Sequence, residues 1–205
     1  MDQWPYGQEV EYLRPMSGGY QIRDQRAMHF VTFQVVSWVD IFTRKSYRDD
    51  FLDALRYYRD NQGLRIHAWV VMSNHVHMML SATQPVNDLS SVIGRLKSFT
   101  AQLIYKTLNE EPESRRDWMI ALFTKASDAH QRNSRYQIWT HDNHPIELNT
   151  NEKVADRLDY IHQNPVRAGI VGLSEDYLYS SARSYAGLTG LLKVDFVDVQ
   201  LKTVR

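Results

Sequence analysis

The chain has 205 residues, 43% of them hydrophobic, which suits one domain with additions, and its 24 Lys+Arg balance its 24 Asp+Glu, so a nucleic-acid surface has to be a local patch. It has no cysteine, which excludes disulfides, zinc–cysteine sites and thiol chemistry and fits a reducing compartment. The longest apolar stretches, such as residues 68–72, fall far short of the roughly 20 residues that cross a bilayer, so no membrane partner is expected.

Residues 1–26 read as a leader containing Gly and Pro. Its first 14 residues mix Asp, Glu, Pro and Gly with no apolar segment of a signal peptide, so a cytoplasmic protein is expected. From His29 to Val36, Val31, Phe33 and Val35 alternate with Thr32 and Gln34, the period of a strand. Ser46 is placed to cap a helix carrying Asp49 and Asp50 early, burying Phe51, Leu55 and Tyr58, and stopping at Gly63. Residues 64–72 read as a second strand. Ser73-Asn74 supplies turn chemistry, so a third strand over 75–82 should return antiparallel beside it.

Beyond Pro85, Asp88 precedes a long helical pattern, with Leu89, Val92, Ile93, Leu96, Phe99, Leu103 and Ile104 on one side, reaching about Leu108. After the break at residues 111–114, a shorter helix is expected around 118–125, then a polar connection over 127–134 and a strand over 136–140. The turn-rich "HDNHP" follows. A last long helix runs from about Asn151 to Gln163, with Asn149 and Glu152 at capping-box spacing and Pro165 as its terminator. In the remaining tail Leu192, Val194 and Phe196 hint at one late strand.

The order β-α-β-β-α-α-β-α contains a split βαβ unit. An α+β, ferredoxin-like antiparallel sheet backed by helices, with an added C-terminal helix, is the expected fold. Residues 27–168 would form the main domain and 169–205 an extension packed on it. Such a fold names no function.

Two segments carry chemistry. In "MSNHVHMML", residues 72–80, His75 and His77 emerge on the same side of one strand, while Val76 and Met78 turn away. Two imidazoles side by side can hold a metal but do not fill its coordination sphere, so ligands from elsewhere are required. In "LDYIHQNPVRAG", residues 158–169, Val154, Leu158 and Ile161 form a stripe toward the core. Tyr160 and Asn164, four residues apart, stack one turn above the other on the adjoining flank. A phenol and an amide oxygen thus project together. On spacing alone, both histidines could be ordinary sheet residues and Tyr160 an ordinary half-buried helix residue.

Taken together, "HFVTF", "HAWVVMSNHVHMML", "NHPIEL", "LDYIHQNPVRAGIV" and "DYLYSSARSY" closely resemble the single-tyrosine HUH transposases, which include insertion-sequence transposases and the REP-associated tyrosine transposases. The resemblance covers most of the chain. It implies a DNA strand transferase in which His75 and His77 bind a divalent metal, Mg²⁺ or Mn²⁺, Asn164 completes the metal site, and Tyr160 is the catalytic nucleophile. The partner implied is single-stranded or hairpin DNA. Relatives include dimers that exchange tyrosine helices as well as a monomeric branch, so a homodimer is compatible with the resemblance. The leader's "SGGY", residues 17–20, shows no hairpin-recognition signature of the REP-associated group.

These residue types suit phosphoryl chemistry. A cation neutralises the phosphodiester charge that repels a nucleophile and stabilises the departing oxygen. A hard set of imidazole and oxygen ligands with open positions favours Mg²⁺ or Mn²⁺ over closed zinc. Arg95, Lys97, Arg157 and Arg167 are candidate phosphate contacts, with Trp139 or Tyr136 as stacking platforms. His67, His141, His144 and His162 are further candidates for packing, second-metal or proton-carrying roles. Two other functions fit the same residues: a noncatalytic nucleic-acid-binding protein, and a hydrolase of small phosphoesters in which water attacks.

Overall fold

The computed structural model describes residues 21–83, 88–128, 135–141 and 143–198. The "SGGY" segment and most of the leader lie outside the described residues. Strands β1 (His29–Gln34), β2 (Leu64–Val71), β3 (His75–Ala82) and β4 (Ile146–Glu147) form one sheet in the order β2-β3-β1-β4, with every neighbouring pair antiparallel. Helix α1 (Lys45–Asn61) connects β1 to β2, and β3 lies between those two strands, which is the split βαβ arrangement expected of a ferredoxin-like α+β fold. Helices α2 (Leu89–Glu110), α3 (Arg116–Asp128) and α4 (Asn151–Arg167) follow, with a single turn, α5 (Ala182–Tyr185), near the C-terminal end.

Strand alternation divides the interior into two layers. Val31, Phe33, Ile66, Trp69, Val71, Val76, Met78 and Leu80 point to one face and pack with the apolar stripes of α1, α2 and α3. Phe30, Ala68, Val70 and Met79 point to the other and pack with Val154 and Ile161 of α4. With both faces covered, β2 and β3 read as nearly continuous apolar runs. His75 and His77 share parity with Met79 and therefore face the α4 side. The Ser73-Asn74 turn closes the hairpin through Met72 N–H donating to His75 O (2.9 Å).

β2 ends the sheet, yet its outer edge is not bare. Val71 N–H donates to Tyr179 O (2.9 Å), Ser181 N–H to Trp69 O (2.9 Å) and Asp195 N–H to Ile66 O (2.8 Å), so the C-terminal segment runs along β2 and occupies groups that would otherwise template another chain. This segment is not the late strand that Leu192, Val194 and Phe196 suggest. Leu192 and Val194 are buried, but Phe196 is 62% exposed.

Other local expectations are corrected. α1 begins at Lys45 with Arg44 as its N-cap residue, not Ser46, and no side chain caps it. The cap of α4 is Thr150, whose hydroxyl accepts the Lys153 N–H (3.3 Å), while Asn149 instead receives the Lys153 ammonium (2.9 Å). Pro165 lies inside α4 rather than ending it. The helix stops two residues after the proline, where Gly169 adopts φ +70° and a Schellman pair forms: Ile170 N–H to Pro165 O and Gly169 N–H to Val166 O, both 2.9 Å.

The fourth strand falls at 146–147 and not at 136–140. Residues 138–140 and Asn143 do follow β1, through the Val35–Trp139 bridge, Val36 N–H to Ile138 O and Thr32 N–H to Asn143 O (both 2.8 Å). The turn residues that follow interrupt the ladder, and Pro145 has no N–H to offer it. Among the described residues no helix is long and apolar enough to cross a membrane.

Candidate metal and nucleophile site

The register of β1 against β3 sets Thr32 opposite His77 and Gln34 opposite His75. Thr32 Oγ1 lies 2.8 Å from His77 Nδ1, and Asn74 Oδ1 lies 2.7 Å from His75 Nδ1. The Asn74 oxygen can only accept, so His75 carries its proton on Nδ1 and keeps the Nε2 lone pair. The Thr32 hydroxyl can donate or accept, so it orients the His77 ring without fixing its tautomer. Outer partners of this kind orient the rings of metal-ligating histidines. The two rings stand 4.6 Å apart, centroid to centroid.

Both imidazoles are held neutral. Burial pushes His75 down to about 4. Burial, with the charges of His75 and Arg157 against it, holds His77 well below the ordinary histidine range. A neutral imidazole is the form that ligates a metal.

α4 packs on β2 and β3 and brings Tyr160 to this pair. Its ring lies 5.1 Å from His77 and 5.9 Å from Phe30, and Phe30 in turn stacks on His77 at 5.3 Å. Asn164 sits one turn further along α4, half-buried. Two guanidinium groups flank the phenol: Arg157 is 5.7 Å and Arg167 5.5 Å from the ring centroid, and Arg167 also pairs with Asp159 at 3.3 Å. A chain with balanced charge thus gathers positive charge beside Tyr160.

No group of three or more His, Cys, Asp and Glu side chains forms a metal cluster among the described residues. A cation at the histidine pair would draw its other ligands from an amide such as that of Asn164 and from substrate oxygens. That donor set suits Mg²⁺ or Mn²⁺.

Several candidates from the sequence lie elsewhere. Trp139 is a core residue, 4% exposed, stacked on Phe42 at 6.0 Å and donating Nε1–H to Thr100 Oγ1 (3.0 Å). Tyr136 stacks on Tyr105 at 3.8 Å. Lys97 donates to Thr140 O (2.6 Å) and to the Asn143 side chain, and Arg95 donates to Ser91 Oγ (2.7 Å); both belong to α2, across the sheet from the histidines. His67 spans Asp195 O and Ser81 Oγ, both at 2.8 Å, at a register shift in β2. His162 points to Ser181 Oγ (2.9 Å) and to the Tyr185 ring. These two histidines serve packing of the C-terminal segment. Thr32 and Asn74 are the residues that spacing did not single out, since their roles depend on strand pairing.

Residues 25–146, more than half the chain, match the family described as IS200-like transposase. The chain belongs to the IS200-like transposases. The matched stretch of this transposase family contains His75 and His77, and α4 with Tyr160 lies just beyond it. Among solved structures, the chain is similar to a REP-associated tyrosine transposase bound to a REP hairpin, at 19% identity and a TM-score of 0.54, with 90% of this chain and 96% of that one covered. It is also similar to a candidate transposase from Deinococcus radiodurans R1, at 16% identity and a TM-score of 0.43, covering 72% and 95%. The first likeness shows the α+β fold. No curated protein matches the chain.

Proposed function

We propose that this transposase cleaves and rejoins single-stranded DNA through a 5′-phosphotyrosine link to Tyr160, at a site where His75, His77 and Asn164 hold Mg²⁺ or Mn²⁺. The observation that carries the reading is the Tyr160 ring 5.1 Å from His77 within one chain. A phenol beside two neutral, oriented imidazoles is the pairing a tyrosine nucleophile and a phosphate-binding cation require. The family supports a transposase, and the similar fold that holds a REP hairpin supports hairpin or single-stranded DNA as the partner.

In this reading the Tyr160 oxygen attacks phosphorus, the bond from phosphorus to the 3′-oxygen breaks, and the phenol proton is lost as the 3′-hydroxyl gains one. The bound ion would supply charge neutralisation and orientation of the phosphate. Arg157 and Arg167 add positive charge where the phosphate arrives and where the phenol becomes anionic. Phe30 holds the nucleophile's ring and the His77 ring together. The phosphotyrosine bond keeps the energy of the broken linkage, so a free 3′-hydroxyl reverses the step without ATP. Each chain supplies Tyr160 to its own histidines.

The test is incubation with end-labelled single strands and hairpins and Mn²⁺, followed by denaturing electrophoresis. A denaturation-resistant protein–DNA adduct is expected. Free nicked product without adduct would make the protein a hydrolase, and neither product would make it a noncatalytic binder.

A further inference from the structure

We propose that Trp38 is the stacking platform for an unpaired base next to the phosphate that Tyr160 attacks; the inference rests on the strand-transfer reading and adds a nucleotide-binding residue to it. Trp38 is 61% exposed, whereas Trp69 and Trp139 are buried. One exposed indole needs no explanation by itself, but this one is held in place by a strained backbone. Ser37 has φ +54° and Trp38 φ +55°, consecutive left-handed positions without glycine, a conformation disfavoured for any side chain with a Cβ.

The segment is pinned on both sides of the strain. Trp38 N–H donates to Val35 O (3.2 Å), Val39 N–H to Val36 O (3.3 Å) and Phe42 N–H to Ser73 O (2.9 Å). The Asn74 amide joins the indole's backbone to the site: its Nδ2 donates to Trp38 O at 3.5 Å, while its Oδ1 accepts from His75. The Trp38 ring meets His75 edge to face at 6.5 Å. A continuous row of rings results, Trp38, His75, His77 and Tyr160, with successive centroids 6.5, 4.6 and 5.1 Å apart. The indole stands at the open end of that row, one imidazole removed from the ring beside the nucleophile.

A single strand offers base faces that a duplex hides. An exposed, pre-positioned indole offers the complementary π-surface at little ordering cost. Arg157 and Arg167 attract any phosphate, paired or unpaired, so charge alone does not select single strands. Trp38 supplies that selection and sets the position of the strand relative to Tyr160.

The experiment scans 2-aminopurine through a cleavable single strand and compares wild type with Trp38→Phe and Trp38→Asn, asparagine being a side chain that tolerates positive φ. Wild type is expected to quench the probe at one or two adjacent positions beside the cleaved bond. Trp38→Phe should keep part of the quenching and Trp38→Asn should abolish it. In Trp38→Asn the KM for adduct formation should rise about tenfold, kcat should change far less, and the salt dependence of binding should be unaltered because no charge is removed. Quenching that survives in Trp38→Asn, or a loss confined to kcat, overturns the inference while leaving an adduct-forming transposase intact. Trp38-dependent quenching without an adduct in wild type would instead sustain the platform and overturn strand transfer.

Discussion

The rings of Tyr160 and His77 meet at 5.1 Å and an interplanar angle of 63°. α4 and β3 are far apart in sequence, and the apolar layer of Phe30, Ala68, Val70, Met79, Val154 and Ile161 holds them in register. Tyr160→Phe removes one oxygen and keeps the ring in that layer. With Tyr160 as the proposed nucleophile, the adduct with single-stranded DNA should fall by on the order of a thousandfold or more, the loss seen when a catalytic nucleophile is removed. Affinity for the same DNA and the thermal midpoint should stay close to wild type. Filter binding and calorimetry beside the denaturing gel check this, and an adduct that persists would assign the nucleophile to another side chain.

Thr32 gives a sharper test of the proposed metal site because it would touch the cation only through His77. Thr32→Val keeps the shape of the side chain but removes the hydroxyl 2.8 Å from His77 Nδ1, so the imidazole loses the hydrogen-bond partner that orients its ring. Loss of such an outer hydrogen bond typically costs 10- to 100-fold in metal affinity. Titration calorimetry with Mn²⁺ should show a loss in that range for Thr32→Val and near wild-type binding for Thr32→Ser. Equal binding by the valine variant would detach Thr32 from the site.

How legible such a site is depends on the kind of signal each residue leaves. Periodicity found the β2–β3 hairpin and α2 because apolar spacing is local, and it put His75 and His77 on a shared face for the same reason. Their outer partners were hidden: Thr32 meets His77 only after β1 and β3 pair in one register. Pro165 misled as a terminator because its missing N–H matters little in a last turn closed by the Gly169 cap. Trp139 and Trp38 are both aromatic and both near β1, yet one fills the core and the other is exposed. The left-handed pair at Ser37 and Trp38 carries no glycine to announce it.

Stability should fall with acid in two successive windows. Burial holds His75 and His162 at about 4, below the free histidine value near 6.5. Between those values the unfolded chain takes up protons that the folded chain refuses. Their stabilisation is therefore complete above about 6.5 and is lost as pH falls toward 4, by at most about 3 kcal/mol for each histidine. A second loss follows from Glu113. Burial pushes its carboxyl up, but hydrogen bonds from Arg115 and Arg44 prevail and hold it down to about 2, so its contribution is lost between about 4.5 and 2. Urea midpoints of metal-free protein from pH 7.5 to 4.5 should decline, and His162→Gln should flatten that decline. A midpoint independent of pH across this range would contradict the neutral, buried state of these rings.

Ser181 links the tyrosine helix to the sheet, and its removal should reach Tyr160 through α4. The residue is fully buried. Its hydroxyl accepts the Trp69 N–H at 3.0 Å and meets His162 Nε2 at 2.9 Å, two residues beyond Tyr160 on the same helix. Ser181→Ala leaves an amide and an imidazole buried without this partner, a cost of about 1–3 kcal/mol. Trp69 still pairs through its carbonyl with the Ser181 N–H, so the segment stays docked while α4 loses its tie. The expected result is a lower unfolding midpoint together with slower adduct formation and nearly unchanged Mn²⁺ affinity, since His75 and His77 sit on β3. Hydrogen exchange should increase in α4 and along residues 177–182 more than in β1 or β3. If exchange rose uniformly instead, Ser181 would be acting on the fold as a whole and not on the seating of Tyr160.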